Sequence, residues 1–130
     1  MKTNYTTPAA AARGLGSAKS GTDHHIRQRV SAIALLFLVP WFLYAIISAS
    51  TGGYESAVAF MAQPWNAILM VLVLGAAFYH MRLGMQVVIE DYIGKAGMKQ
   101  GLLILNTFVC VGLFAATALS VLKIWISAGA

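Results

Sequence analysis

The chain has 130 residues, 59% of them apolar and only 10% charged, with a formal net charge of +5. A soluble domain carries roughly a quarter of its residues as charged side chains, so this composition excludes an ordinary water-soluble fold. The apolar residues form three long runs with the cations at their ends, a placement that serves membrane topology and lipid headgroups and excludes a nucleic-acid footprint. The single cysteine, Cys110, lies inside an apolar run, which leaves no intrachain disulfide framework.

Residues 1–29 read as an N-terminal segment outside the membrane. The stretch 1–21 is rich in Ala, Ser, Thr and Gly, carries Lys2, Arg13 and Lys19, and has no apolar core, which excludes a signal peptide. Its basic, acid-poor character fits a flexible tail ordered by a partner, and an organelle transit peptide shares it. Just before the first apolar run stands Asp23-His24-His25-Ile26-Arg27-Gln28-Arg29. It is either a basic collar at the membrane surface, or a site where Arg29 neutralises an embedded anion such as a haem propionate, since arginine pairs carboxylates in bidentate fashion.

Crossing the hydrocarbon core takes about 20 apolar residues in a helix. Residues 30–50 supply the first span, with Pro40 at its centre, which a membrane helix tolerates. Residues 65–89 supply the second, opened by Gln63-Pro64. Residues 102–126 supply the third, with Lys123 and Trp125 placed to anchor at the interface, and 127–130 are a short outer tail. The connections 51–64 and 90–101 read as loops too short for a catalytic domain. The fold class is therefore an all-α membrane protein with three transmembrane helices in one domain, 30–126.

Lys2, Arg13, Lys19, Arg27 and Arg29 precede span one, and Lys95 and Lys99 follow span two, whereas 51–64 holds Glu55 and no cation. The positive-inside rule puts the N-terminus in the cytoplasm, or a mitochondrial matrix, and the C-terminus outside, with Lys123 alone opposed. On span three, Asn106, Cys110, Leu113, Thr117 and Ser120 fall on one narrow arc at about 100° per residue. Such a stripe either faces protein or is simply tolerated.

The chemistry concentrates at the end of span two. His80 lies about 12 Å of helix before Val88, within the cytoplasmic-side half of the core. An ionisable residue at that depth is a functional hypothesis by default. A neutral imidazole nitrogen can coordinate haem iron while the other donates a hydrogen bond. Gly84, Val87 and Asp91 lie within about 40° of the same face. The glycine removes bulk where a flat macrocycle needs room, or is a helix-packing contact. Interhelical bonding or a proton relay would also account for His80. His24 and His25 lie at the surface, not at the depth of His80. A low-spin haem would then take its second axial ligand from another chain, or from Met85 or Met70. Arg82 points to nearly the opposite face, to snorkel or to pair with a partner's acid. Tyr92 is an interfacial anchor or a donor to a quinone carbonyl, with Asp91 beside it for proton transfer.

The pattern His80-Met81-Arg82-Leu83-Gly84-Met85, followed by Asp91-Tyr92, resembles the hydrophobic membrane anchor (D-type) subunits of succinate:quinone oxidoreductase, respiratory complex II. Gly14-Leu15-Gly16-Ser17-Ala18 and the helix entry Arg29-Val30-Ser31-Ala32-Ile33-Ala34-Leu35 are also similar to bacterial members, so the resemblance covers essentially the whole chain. It implies half of a heterodimeric six-helix anchor in a bacterial inner membrane, multi-pass, with a cytoplasmic N-terminus and a periplasmic C-terminus. The implied partners are a second, cytochrome b-type anchor subunit, an iron–sulfur subunit and a flavoprotein subunit. The implied cofactor is haem b shared with the second anchor, with His80 as this chain's axial ligand and Arg29 and His24 near the propionates. Tyr92 would bind ubiquinone, with Asp91 close by. The chain would then contribute to quinone reduction by electrons from succinate, in the citric acid cycle and respiratory chain, without being catalytic alone. An anchor of a fumarate reductase-type complex is the nearer alternative, and a haem-free assembly or transport subunit the more distant one.

Overall fold

The computed structural model describes residues 7–12 and 21–128. The expectations for the remaining N-terminal residues, including Gly14 to Ala18, lie outside them. A single turn, α1 (Pro8–Ala12), precedes three long helices: α2 (Gly21–Ser50), α4 (Pro64–Tyr92) and α5 (Ala96–Ala128), with a short α3 (Gly53–Ala62) between α2 and α4. The long helices have 30, 29 and 33 residues. At about 1.5 Å per residue each exceeds the roughly 30 Å of a hydrocarbon core. Each is also apolar enough to cross a membrane, as expected from the sequence.

Two connections differ from the expected loops. Residues 53–62 form α3, which packs on α2, α4 and α5 and so closes one end of the bundle. Gly53 takes φ 73° at its start, a left-handed turn that glycine adopts without a Cβ penalty. Tyr44 and Phe60 meet edge to face at 6.5 Å, and Asn66 Nδ2 donates to Phe60 O at 2.8 Å, tying α3 to both of its neighbours in sequence. At the other end α4 and α5 are separated by three residues only, Ile93 to Lys95, and Lys99 lies inside α5. Its Nζ donates to Glu90 O at 2.8 Å, satisfying one of the carbonyls that the end of α4 leaves without a helical partner.

Helix α2 begins well before residue 30. Asp23 in its first turn favours the positive end of the helix dipole. Arg27 Nη2 lies 3.6 Å from Asp23 Oδ2 one turn on, but at 61% and 74% side-chain exposure this pair adds little. The stronger reason is that His24 and Gln28 are turned toward α4 and partly buried there. The helix continues through Pro40.

Helix α4 is central: it packs on both α2 and α5, which do not pack on each other. Close approach is made by small or slender residues, among them Ala45, Ala67, Val73 and Cys110, all buried. By contrast Leu36, Phe37, Leu43, Tyr44, Phe108 and Leu119 stand exposed. Surface of this kind has to be covered by lipid or by other subunits.

Candidate functional site

The central position of α4 gives it two interfaces, and its two ionisable intramembrane residues go one to each. His80 faces α2 and Arg82 faces α5. The opposition expected from their spacing is what separates them.

On the α2 side, His80 Nδ1 lies 2.9 Å from Ser31 Oγ, and its Nε2 lies 3.4 Å from Gln28 Nε2. Ser31 Oγ itself donates to Gln28 O at 2.9 Å. Ser31 is 6% exposed and is the one buried polar side chain among the described residues. A Cβ built on Gly84 would meet only Gln28 Nε2, at 3.7 Å, so this glycine leaves ordinary room beside the imidazole. Further along α2, His24 Nε2 and Gln28 Oε1 are buried without hydrogen-bond partners. His24 borders a polar recess of about 310 Å³ that includes Arg82, Gln86 and Glu90. Buried polar groups without partners are uncommon and point to a group, protein or water, that completes them.

On the α5 side, Arg82 Nε donates to Thr107 Oγ1 at 3.2 Å. Asn106 Nδ2 donates to Arg82 O at 3.0 Å, and the Cys110 thiol reaches Asn106 Oδ1 at 3.5 Å. The polar arc of α5 is therefore divided. Asn106 and Cys110 pack on α4, while Thr117 and Ser120 return their hydroxyl protons to the backbone carbonyls of Leu113 and Ala116 and line an open groove.

The remaining candidates lie at the bundle end opposite α3. Arg29 is exposed on α2 and, at about 100° per residue, lies on nearly the opposite face from Ser31. Asp91 and Tyr92 are exposed at the last turn of α4, and Tyr92 lies about 18 Å of helix from His80 at about 1.5 Å per residue. Tyr92 borders an apolar recess of about 310 Å³ with Met85, Val88, Ile89, Leu102 and Leu105. Within this chain, then, Tyr92 and His80 belong to separate places. Among the described residues no three His, Cys, Asp or Glu side chains gather around a common point as ligands of a bare metal ion would.

Ser31 and Gln28 were not singled out by sequence reasoning. The signal was available: His24, Gln28 and Ser31 follow one another at spacings of four and three, a polar stripe on one helix face aimed at a polar residue of α4. Thr107, directly after Asn106, was likewise read past.

These features define a three-span helical membrane subunit whose middle helix holds an anchored imidazole within the bundle. The chain belongs to the succinate dehydrogenase/fumarate reductase transmembrane subunit family, whose model matches residues 3–120. It is similar to three succinate dehydrogenase hydrophobic membrane anchor subunits in particular. That of Paracoccus denitrificans is 31% identical over 124 residues, 95% of each chain. That of Rickettsia bellii is 34% identical over 104 residues, covering 80% of this chain and 83% of the relative. That of Rickettsia conorii is 30% identical over 112 residues, covering 85% and 89%. No solved structure gives a significant match.

Proposed function

We propose that this chain is one half of the membrane anchor of a succinate:quinone oxidoreductase, supplying one axial ligand to a haem b and part of a ubiquinone site. The observation that carries the reading is the setting of His80. One ring nitrogen is anchored by Ser31, and the other makes only a long contact with the Gln28 amide. Such a ring is oriented and can give its second nitrogen to iron. Gly84 leaves room one turn away, and the unpartnered His24 Nε2 and exposed Arg29 are donors on the adjoining helix for anionic propionates. The residues present therefore fit the group. A bound haem would supply reversible one-electron chemistry. His80 would be this chain's ligand to it, and a partner anchor subunit would supply the second.

Tyr92 fits a hydrogen-bond donor to a quinone carbonyl, because it is an exposed phenol that lines an apolar recess of about 310 Å³. Asp91, at the water-facing end of α4, can deliver the protons that quinone reduction consumes. Electrons would arrive from succinate through a flavoprotein and an iron–sulfur subunit docked at this end. Arg27, Arg29, Lys95 and Lys99 gather at that same end, which favours a cytoplasmic N-terminus and a periplasmic C-terminus in a bacterial inner membrane.

Co-expression tests the shared-haem reading. Membranes holding this chain together with its partner anchor are expected to yield about one b-type haem per pair. Membranes holding this chain alone are expected to yield none. Full haem recovery with the single chain would contradict a cofactor ligated by both.

A further inference from the structure

We propose that Ser31 is the positioning residue of the haem ligand, fixing the tautomer of His80 so that Nε2 presents its lone pair to iron. The inference rests on His80 being that ligand, and adds how the chain prepares it.

A serine hydroxyl has a single proton. At Ser31 that proton is directed to Gln28 O, at 2.9 Å, the backbone carbonyl one turn earlier in α2. With the proton given to that carbonyl the oxygen accepts from His80, and the 2.9 Å contact is then Nδ1–H donating to Ser31 Oγ. A neutral imidazole with its proton on Nδ1 has a bare lone pair on Nε2. The other contact is compatible with this: Gln28 Nε2 is an amide donor, 3.4 Å from His80 Nε2, which would accept from it in the same tautomer.

The two contacts differ in a way that matches different duties. The bond to Ser31 is short and buried, and its serine is the one buried polar side chain among the described residues. The contact with Gln28 is long, on a flexible side chain whose carbonyl oxygen is buried without a partner. Presenting Nε2 to iron would cost only the second contact and leave the first in place. A serine within an apolar helix commonly returns its proton to its own backbone and has no further role. Ser31 does so and also receives an imidazole proton from another helix, so an alanine would leave Nδ1–H without an acceptor.

An acceptor on Nδ1–H raises the basicity of the coordinating nitrogen and favours the oxidised metal. Its removal should therefore move the haem midpoint potential upward. A tenfold selective loss of ferric-state stabilisation corresponds to about 59 mV for a one-electron couple.

The test is an optical redox titration with low-temperature electron paramagnetic resonance on the purified complex, comparing wild type with Ser31→Ala, Ser31→Thr and His80→Ala. Ser31→Ala is expected to raise the potential by an amount of that order and to shift the haem g-values. Ser31→Thr, which keeps the hydroxyl, should restore both. If Ser31→Ala loses haem outright while Ser31→Thr keeps it, the hydroxyl is again the cause. A wild-type potential and spectrum in Ser31→Ala would overturn the proposal, and so would equal haem loss in both serine variants, which would indicate packing. His80→Ala separates the two levels. Wild-type haem in that variant removes the ligand reading itself, whereas haem loss there with an unaltered Ser31→Ala removes only the role of Ser31.

Discussion

Replacing Thr107 by valine keeps the shape of the side chain and deletes the hydroxyl that accepts from Arg82 Nε at 3.2 Å. Interhelical side-chain bonds in membranes average about 0.6 kcal/mol and reach about 1.7. A guanidinium donor belongs in the upper part of that range, and leaving it without an acceptor adds a desolvation cost of about 1–3 kcal/mol when fully buried. Arg82 is only partly buried and borders the polar recess, so water recovers some of this, and about 1 kcal/mol is the expected loss for Thr107→Val. Arg82→Met loses the same bond but also removes a charge whose placement at a bilayer centre costs about 2.5–3.5 kcal/mol, less toward the interface. The second variant should therefore be neutral or stabilising. Adding Thr107→Val to Arg82→Met should cost almost nothing, a coupling of about 1 kcal/mol. Reversible unfolding of the chain in mixed detergent micelles, for the two single variants and the double, measures each quantity. The reasoning is refuted if Arg82→Met is as damaging as Thr107→Val, or if the two effects add to within about 0.3–0.5 kcal/mol.

Three further substitutions address the α2–α4 contact and the C-terminal end of α4. Gly84→Ala should keep haem content and leave thermal stability unchanged or improved, because its Cβ meets Gln28 only at 3.7 Å and alanine favours a helix by about 1 kcal/mol. Gly84→Leu should displace Gln28 and lower haem content, measured from the reduced spectrum of the purified complex. Tyr92→Phe should impair quinone reduction while succinate oxidation with an artificial soluble acceptor continues. Equal loss of both activities would indicate failed assembly.

The three spans were legible because lipid demands long uninterrupted apolar runs, and the separate faces of His80 and Arg82 followed from helical spacing alone. Helix α3 was not legible. Its ten residues are too few to span, and its docking on α2, α4 and α5 depends on contacts such as Tyr44 with Phe60 that no local pattern announces. The early start of α2 escaped for a similar reason: His24 and Gln28 read as surface polar residues until α4 is placed beside them. The role of Arg82 required a partner, Thr107, whose side chain differs little from an apolar one in a membrane helix. His80 itself was found from its depth, whereas its setting was legible only in part: the stripe of His24, Gln28 and Ser31 marks a polar face of α2, but not which residue of another helix it meets.

The proposed haem ligation by His80 is tested most directly by the reduced-minus-oxidised optical spectrum of the purified complex in wild type and His80→Ala. Wild type is expected to give a b-type signal that the substitution abolishes or alters in position and intensity. An identical signal in both, at equal haem stoichiometry, would contradict the assignment.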